Sequence, residues 1–126
     1  MNREEFVKAV KAETSDAAVT GTISWLQKPP GRKPALKKVE LSKWFATLSN
    51  EDRIRIEEII RESAELAVFA FFSLLDGMAF VDDGEDKGSL ELYYVRADQR
   101  ILLNDMTGEC LHDIYKWYTS KPETSQ

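Results

Sequence analysis

The strongest constraint on the fold is one stretch, residues 49–77, where no glycine or proline interrupts the chain between a helix start signal and a stop signal. Ser49 can accept a hydrogen bond from the first free N–H groups of a helix, and Asp52 lies at the spacing of a capping box. Gly77 directly follows Asp76, at the place where a left-handed residue closes a helix. The pattern predicts one long helix with both ends marked.

The two halves of this helix differ in their apolar pattern. In the first half, Ile56, Ile59 and Ile60 share one face and charged residues fill most of the other, which predicts a surface helix. Residues 66–75 carry no charge and place large side chains all round the helix, which predicts that neighbouring elements bury this half. The run is much shorter than the roughly 20 apolar residues of a membrane span, so we expect no membrane crossing.

Composition places the chain among globular domains. It has 126 residues, 43% of them hydrophobic and 31% charged, which is enough for one domain with its own core over residues 1–126. Cys110 has no second cysteine with which to form an internal disulfide, and the first residues lack the apolar region of a signal peptide. We therefore expect a cytoplasmic protein without a cofactor or metal.

The N-terminal half is predicted to be helical. Asn2 and Glu5 form a second capping-box pattern, and a helix is expected from residue 3 to about residue 28, with a bend or break near residues 14–16 where the apolar face shifts. A strand over residues 19–25 is the alternative, because β-branched residues alternate there. Two prolines then end the helix and open a Pro/Lys-rich connector over residues 29–39. A short amphipathic helix is predicted over residues 40–48.

The C-terminal half changes to an alternating pattern typical of strands. Residues 78–81, 89–96 and 99–103 are predicted to form a three-stranded antiparallel meander, with a turn at Ala97 and Asp98. A closing helix follows, and its inward face is formed by Leu111, Ile114, Tyr115 and Tyr118. Residues 120–126 are predicted to be a disordered tail. The fold class is therefore α+β, with a long, buried central helix.

No catalytic, cofactor-binding or metal-binding residue is predicted. If Cys110 and His112 lie at positions i and i+2 of the last helix, their side chains diverge and cannot serve as a nucleophile and base or bind one metal. His112 is then expected to be exposed. The acidic loop at residues 82–86 lacks the spacing of a calcium-binding loop, because Lys87 falls where a ligand or the turn glycine belongs. We interpret it as a solvated loop.

Two sets of residues are candidates for contact with partners. Large aromatic side chains in a small domain suggest a protein contact surface where they are exposed. These are Trp25, Trp44, Tyr93 and Trp117. A basic segment at residues 28–43 could reach phosphates, and its members are Lys28, Arg32, Lys33, Lys37, Lys38 and Lys43. Nucleic acid is nevertheless disfavoured as a partner, because few aromatics accompany this segment and residues 49–126 carry a net charge of −9.

Four runs of the chain look like a group of small uncharacterised bacterial proteins. The runs are Lys-Pro-Pro-Gly-Arg at residues 28–32, Phe-Phe-Ser-Leu-Leu-Asp-Gly at 71–77, Leu-Glu-Leu-Tyr-Tyr-Val at 90–95, and Leu-Leu-Asn-Asp-Met-Thr-Gly-Glu-Cys-Leu-His-Asp at 102–113. The resemblance would cover most of the chain. It implies a compact, stand-alone bacterial domain and no activity.

The sequence thus favours a non-enzymatic protein-binding domain of accessory, regulatory or immunity type. A homodimer is expected, because a domain of this size offers little structure to cover residues 66–75 and the aromatic side chains. One alternative is a small-molecule-binding domain or enzyme that uses scattered carboxylates with Tyr93 and Tyr94. The other is a nucleic-acid accessory protein that uses the basic segment.

Overall fold

Helices dominate the first 75 residues of the computed structural model, which describes residues 1–120. In chain order the elements are α1 (Arg3–Lys11), a π-helical segment (Ala12–Asp16), α2 (Ala17–Gln27), α3 (Leu36–Ala46), α4 (Asn50–Leu75), β1 (Tyr93–Arg96), β2 (Gln99–Leu102) and α5 (Leu111–Thr119). The α+β class, the helical N-terminal half and the C-terminal helix are as predicted. The predicted tail lies outside the described residues, except for Ser120.

The described chain forms two compact units. Among the described residues, the hairpin unit comprises Met1–Ala12 and residues 66–120, and the helical unit comprises Glu13–Glu65. One boundary therefore falls at the π-helical segment and the other within α4. Each unit has buried apolar residues of its own.

The N-terminal helix starts and shifts where the sequence indicated. Asn2 and Glu5 form the complete capping box, with bonds of 2.8 and 3.0 Å in the two directions. The shift of the apolar face is produced by the π-helical segment, whose wider turn takes one extra residue and so rotates the following side chains. Residues 17–27 are α-helical, so the alternative strand over residues 19–25 is wrong.

In the helical unit, α2 packs against α3. Val19, Leu26 and Phe45 are buried, and the Ser42 hydroxyl donates a 2.8 Å hydrogen bond to the Leu26 carbonyl. The helix predicted over residues 40–48 is longer and begins at Leu36, so the connector between α2 and α3 covers only residues 28–35.

The core of the hairpin unit is built by three helices. Val7 of α1, Phe72 of α4 and Tyr115 of α5 form a buried cluster together with Leu111 and Ile114. The edge of the Phe6 ring packs on Phe72, with 6.3 Å between the ring centroids. The inward face predicted for α5 is confirmed at Leu111, Ile114 and Tyr115, whereas Tyr118 is only half-buried.

The second half of α4 is not surrounded by other elements, so the prediction that it is buried is wrong. Phe72 is the one buried residue of residues 66–75, whereas Leu66 is 65% exposed and Phe71 59% exposed. The side chains of α1 and α5 cover the face that carries Phe72. No other element of the described part of this unit covers the opposite face.

The sheet has two strands, and the predicted third strand at residues 78–81 is absent. β1 and β2 pair antiparallel from Tyr93↔Leu102 to Arg96↔Gln99, around the predicted turn, in which Ala97 has a φ of 53°. Residues 78–81 are exposed and irregular. Their apolar alternation resembles a strand, but the N–H of Met78 bonds to the Ser73 carbonyl at the end of α4 instead of to a neighbouring strand.

Both ends of α4 are capped. The Ser49 hydroxyl accepts from the Asp52 N–H at 3.1 Å, while the Asp52 carboxylate pairs with Arg55 instead of reaching back. At the other end Gly77 has a φ of 78°, and the N–H groups of Gly77 and Met78 bond to the carbonyls of Leu74 and Ser73. Among residues 1–120, no helix is both long enough and apolar enough to cross a bilayer.

Candidate functional site

The end of α4 is joined to the start of α5 by the side chain of Asp76. Its Oδ1 accepts a hydrogen bond from the Leu111 N–H at 3.0 Å, and its Oδ2 accepts from the His112 N–H at 2.7 Å. Cys110 occupies the N-cap position of α5 but makes no capping hydrogen bond with its side chain. Asp76, the residue that follows α4, therefore caps α5, and its negative charge lies at the positive end of the α5 dipole.

His112 lies against the same carboxylate. Its Nδ1 is 2.6 Å from Asp76 Oδ2, and its Nε2 is 3.4 Å from Asp113 Oδ1. The Phe69 ring meets the imidazole edge to face, with 5.6 Å between centroids. Only 14% of the His112 side chain is exposed, so the expectation of an exposed histidine is wrong.

Cys110 completes a cluster of three potential ligands. One donor atom each from Asp76, Cys110 and His112 lies within 4.8 Å of the other two. The prediction that Cys110 and His112 diverge is therefore wrong, and the reason is local: α5 begins at Leu111, and Cys110 has extended backbone angles (φ −66°, ψ 142°). The 100° rotation per helical residue does not apply at that position. We call these three residues the Asp76 cluster.

The Asp76 carboxylate and the Cys110 thiol influence each other electrostatically. The Asp76 side chain is only 3% exposed, and its sole ion-pair partner in the described chain is His112. Burial, and next the neighbouring Asp76 charge, raise the pKa of the Cys110 thiol. A nucleophilic cysteine needs the opposite, a lowered pKa. The thiol is therefore protonated near neutral pH, and the cluster is not a ready Cys–His nucleophile.

The loop before Cys110 is held in place by Arg3 of α1. The Arg3 guanidinium pairs with Asp105 Oδ1 at 2.8 Å and donates to the Glu109 carbonyl at 2.8 Å. A recess of about 280 Å³ is lined by Asp76 together with Leu90, Asn104 and Met106, whereas Cys110 and His112 do not line it. Arg3 thus fixes the loop that leads to Cys110, and free volume lies next to Asp76.

A second feature of the hairpin unit is an exposed apolar face on α4. It is formed by Leu66, Ala67, Ala70 and Phe71, which we call the α4 stripe. The spacing places all four side chains on one side of the helix, and none is charged. Single exposed apolar residues are normal on a monomer, but a continuous row of them marks a contact surface.

The aromatic residues predicted to contact partners differ in exposure. Trp44 on α3 is 47% exposed and Trp117 on α5 is 55% exposed. Trp25 and Tyr93 are half-buried, and each has a cation over its ring: Lys38 Nζ at 5.4 Å and the Arg100 guanidinium at 4.0 Å, respectively. Trp44 and Trp117 are thus the more exposed of the four, and the Trp117 ring meets Tyr118 edge to face with 5.0 Å between the centroids.

The structure places the basic segment on the connector and α3. Lys28, Arg32 and Lys33 lie in the connector, and Lys37, Lys38 and Lys43 lie on α3. All but the half-buried Lys38 are exposed. In the acidic loop, the Asp82 carboxylate accepts a 2.8 Å bond from the Gly88 N–H, which closes the loop on itself.

Sequence reasoning missed Asp76 and the α4 stripe. In the sequence Asp76 stands out only as the residue before the helix-ending glycine, and a cap on a helix 35 positions away leaves no local signal. The stripe is visible as part of the uncharged run, but its exposure depends on which elements pack against α4.

Comparisons with family models, curated proteins and solved structures found no match for this chain. The comparisons thus assign no family and no activity to the chain. The function must therefore be argued from the geometry of the chain.

Proposed function

We propose that this chain is a non-enzymatic protein-binding domain, of accessory, regulatory or immunity type, that uses the α4 stripe as its contact surface. The observation that carries the proposal is the exposure of Leu66 (65%) and Phe71 (59%) on one uncharged face of a capped helix. Their apolar surface gains free energy when a partner removes it from water, at about 25 cal/mol per Å². The capped ends hold the stripe in a fixed shape before it binds.

The partner we propose is a second copy of this chain. In a two-fold contact the same stripe meets itself, and a stripe without charge brings no like charges together. Ala67 and Ala70 lie beside the larger Leu66 and Phe71, so the small residues of one copy offer space for the large residues of the other. A homodimer would cover the uncovered face of α4 without any additional element.

We place this binding function in a bacterial cytoplasm. Cys110, the single cysteine, has no partner for an intramolecular disulfide, which fits a reducing compartment. The raised pKa of its thiol also fits a protein that does not depend on disulfide exchange, since exchange proceeds through the thiolate.

The test is the molecular mass in solution over a range of concentrations, by light scattering after size exclusion. The wild-type mass should rise from the 14.4 kDa of one chain towards twice that value. Phe71→Glu should remain at one chain's mass, since it places a charge within the contact. Val95→Glu is the matched control: Val95 is 62% exposed on β1, outside the stripe, and its substitution should leave the dimer intact.

A constant mass of one chain for the wild type would refute the homodimer. A photo-crosslinking amino acid at position 71, compared with one at position 95, then tests the wider proposal in cells. Crosslinks to a different protein from position 71 alone would keep the binding function and change the partner. No crosslink from position 71 would overturn the α4 stripe as a binding surface.

A further inference from the structure

The Asp76 cluster brings together three different donor groups at one place in the hairpin unit. A carboxylate, a thiol and an imidazole lie within 4.8 Å of one another at the junction of α4 and α5. We infer that Asp76, Cys110 and His112 form a binding site for a divalent transition-metal ion of the zinc class. This inference is independent of the proposed dimer, because none of the three residues belongs to the α4 stripe.

The donor set selects the class of metal. Zinc takes Cys sulfur, His nitrogen and Asp oxygen in four-coordinate sites, and three protein ligands with an open position are typical of sites that bind a further molecule. Calcium and magnesium prefer six or more oxygen ligands, which a thiol and an imidazole cannot supply. The mixed donors therefore favour zinc or a similar ion such as cobalt.

The charges also favour a cation. Asp76 is a nearly buried carboxylate whose ion-pair partner among residues 1–120 is His112, and buried carboxylates are found either paired in this way or bound to a metal. A divalent ion together with the Asp76 carboxylate and the Cys110 thiolate would be neutral overall. The ion would thus remove the electrostatic conflict between the Asp76 carboxylate and a deprotonated Cys110.

The surroundings provide the support that ligands need. Two backbone N–H groups hold the Asp76 carboxylate, and Arg3 secures the loop that leads to Cys110. Binding of an ion through His112 Nδ1 needs the lone pair of that nitrogen, which leaves Nε2 as the nitrogen that carries the imidazole proton. Asp113 Oδ1, 3.4 Å from that nitrogen, is placed to accept it, as a carboxylate does behind many metal-binding histidines.

Binding also has a defined proton balance. The ion replaces the thiol proton of Cys110, which is released to solvent. Because this ligand must lose its proton to bind, the affinity should fall as the pH is lowered.

The experiment uses the full-length chain with Zn²⁺ alone for calorimetry and Co²⁺ alone for spectroscopy. We expect one ion per chain and a thiolate-to-cobalt charge-transfer band. Cys110→Ser should abolish the band. It should also weaken Zn²⁺ binding at least about 10-fold, since even the loss of a residue that only hydrogen-bonds to a metal ligand can weaken binding by that factor. His112→Gln should weaken Zn²⁺ binding similarly. Glu109→Gln, an exposed acid beside Cys110, is the control and should bind like the wild type.

Cys110→Ser also separates metal binding from folding. The Cys110 side chain caps nothing, so the variant should retain the circular dichroism spectrum of the wild type. The inference is overturned if the wild type binds no stoichiometric Zn²⁺, if bound Co²⁺ shows no thiolate band, or if the Cys110 and His112 variants bind as well as the wild type. None of these outcomes bears on the dimer.

Discussion

Asp76 and His112 are separated by 36 positions in sequence, yet Asp76 Oδ2 lies 2.6 Å from His112 Nδ1. The same carboxylate accepts the N–H groups of Leu111 and His112, so one side chain makes three hydrogen bonds across the α4–α5 junction. These bonds connect the end of one helix to the first turn of another. The junction should therefore be among the most sensitive places in the hairpin unit.

Asp76→Asn tests this junction. The amide keeps the shape of the side chain but loses the charge and offers one acceptor oxygen in place of two, so at least one of the buried N–H groups loses its partner. We expect a loss of about 1–3 kcal/mol in the free energy of unfolding, as for an unsatisfied buried donor. Urea denaturation measures the difference. Asp113→Asn, at an exposed carboxylate nearby, should change the stability by no more than about 0.5 kcal/mol.

Gly77 and Gly21 should respond in opposite directions to the same substitution. Gly77 has a left-handed φ of 78°, so Gly77→Ala should cost about 1–2 kcal/mol. Gly21 lies inside α2, and a Cβ added there would meet no atom within 4 Å, so Gly21→Ala should add roughly 0.5–1 kcal/mol through higher helix propensity. Thermal melting of both variants decides the matter, and equal shifts would contradict the cap at Gly77.

Asp105 should make the stability depend on acid pH. Hydrogen bonds from the Thr107 side chain, and next from Arg3, hold the pKa of Asp105 below its ordinary value of 3.8. Because the folded-state pKa is the lower one, the carboxylate stabilises the fold above the unfolded-state pKa, and this contribution is lost as the pH falls through the folded-state pKa.

The measurement is the titration of the Asp105 carboxyl carbon by NMR, with urea midpoints at neutral and acid pH. Asp105→Asn should lower the midpoint at neutral pH and approach the wild type in acid. A carboxyl that titrates at or above 3.8 would contradict the hydrogen bonds from Thr107 and Arg3.

Arg53 closes the C-terminal end of α3. Its Nε and Nη2 donate to the carbonyls of Phe45 and Ala46 at 3.2 and 2.7 Å, and the guanidinium lies over the Phe45 ring. Arg53→Lys keeps the charge but loses the planar fork, so we expect a loss of about 1 kcal/mol in unfolding free energy. Arg55→Lys is the control, since within residues 1–120 Arg55 makes only an exposed pair with Asp52. Similar losses in both variants would show that the cap contributes little.

Local signals were sufficient to predict much of the fold. The caps at Asn2, Ser49 and Gly77 act on the next few backbone groups, so their residue types identify the helix ends directly. The turn at Ala97 and Asp98 was predictable for the same reason.

The errors concern interactions between distant segments. Whether residues 66–75 are buried depends on how many elements pack on α4. Whether residues 78–81 form a strand depends on a neighbouring strand in position to make the backbone hydrogen bonds. The error at Cys110 and His112 had a different origin: a shift of α5 by a single residue changed the direction of the Cys110 side chain. A helix boundary is the least certain part of a sequence-based prediction. Here the start of α5 determined whether the Cys110 and His112 side chains come together.

The side-chain amide of Asn104 holds both ends of the segment between α4 and the hairpin. Its nitrogen donates to the carbonyls of Leu75 and Leu90. The two ends of the segment formed by residues 76–89 are therefore held close together by one side chain. Most of that segment is exposed and irregular. Since doubling the length of a flexible loop costs only about 0.6 kcal/mol, the exposed middle of this loop should accept inserted residues with little loss of stability. It is thus a natural position for an internal epitope or fluorescent label, provided that Asp76 and Asn104 remain in place.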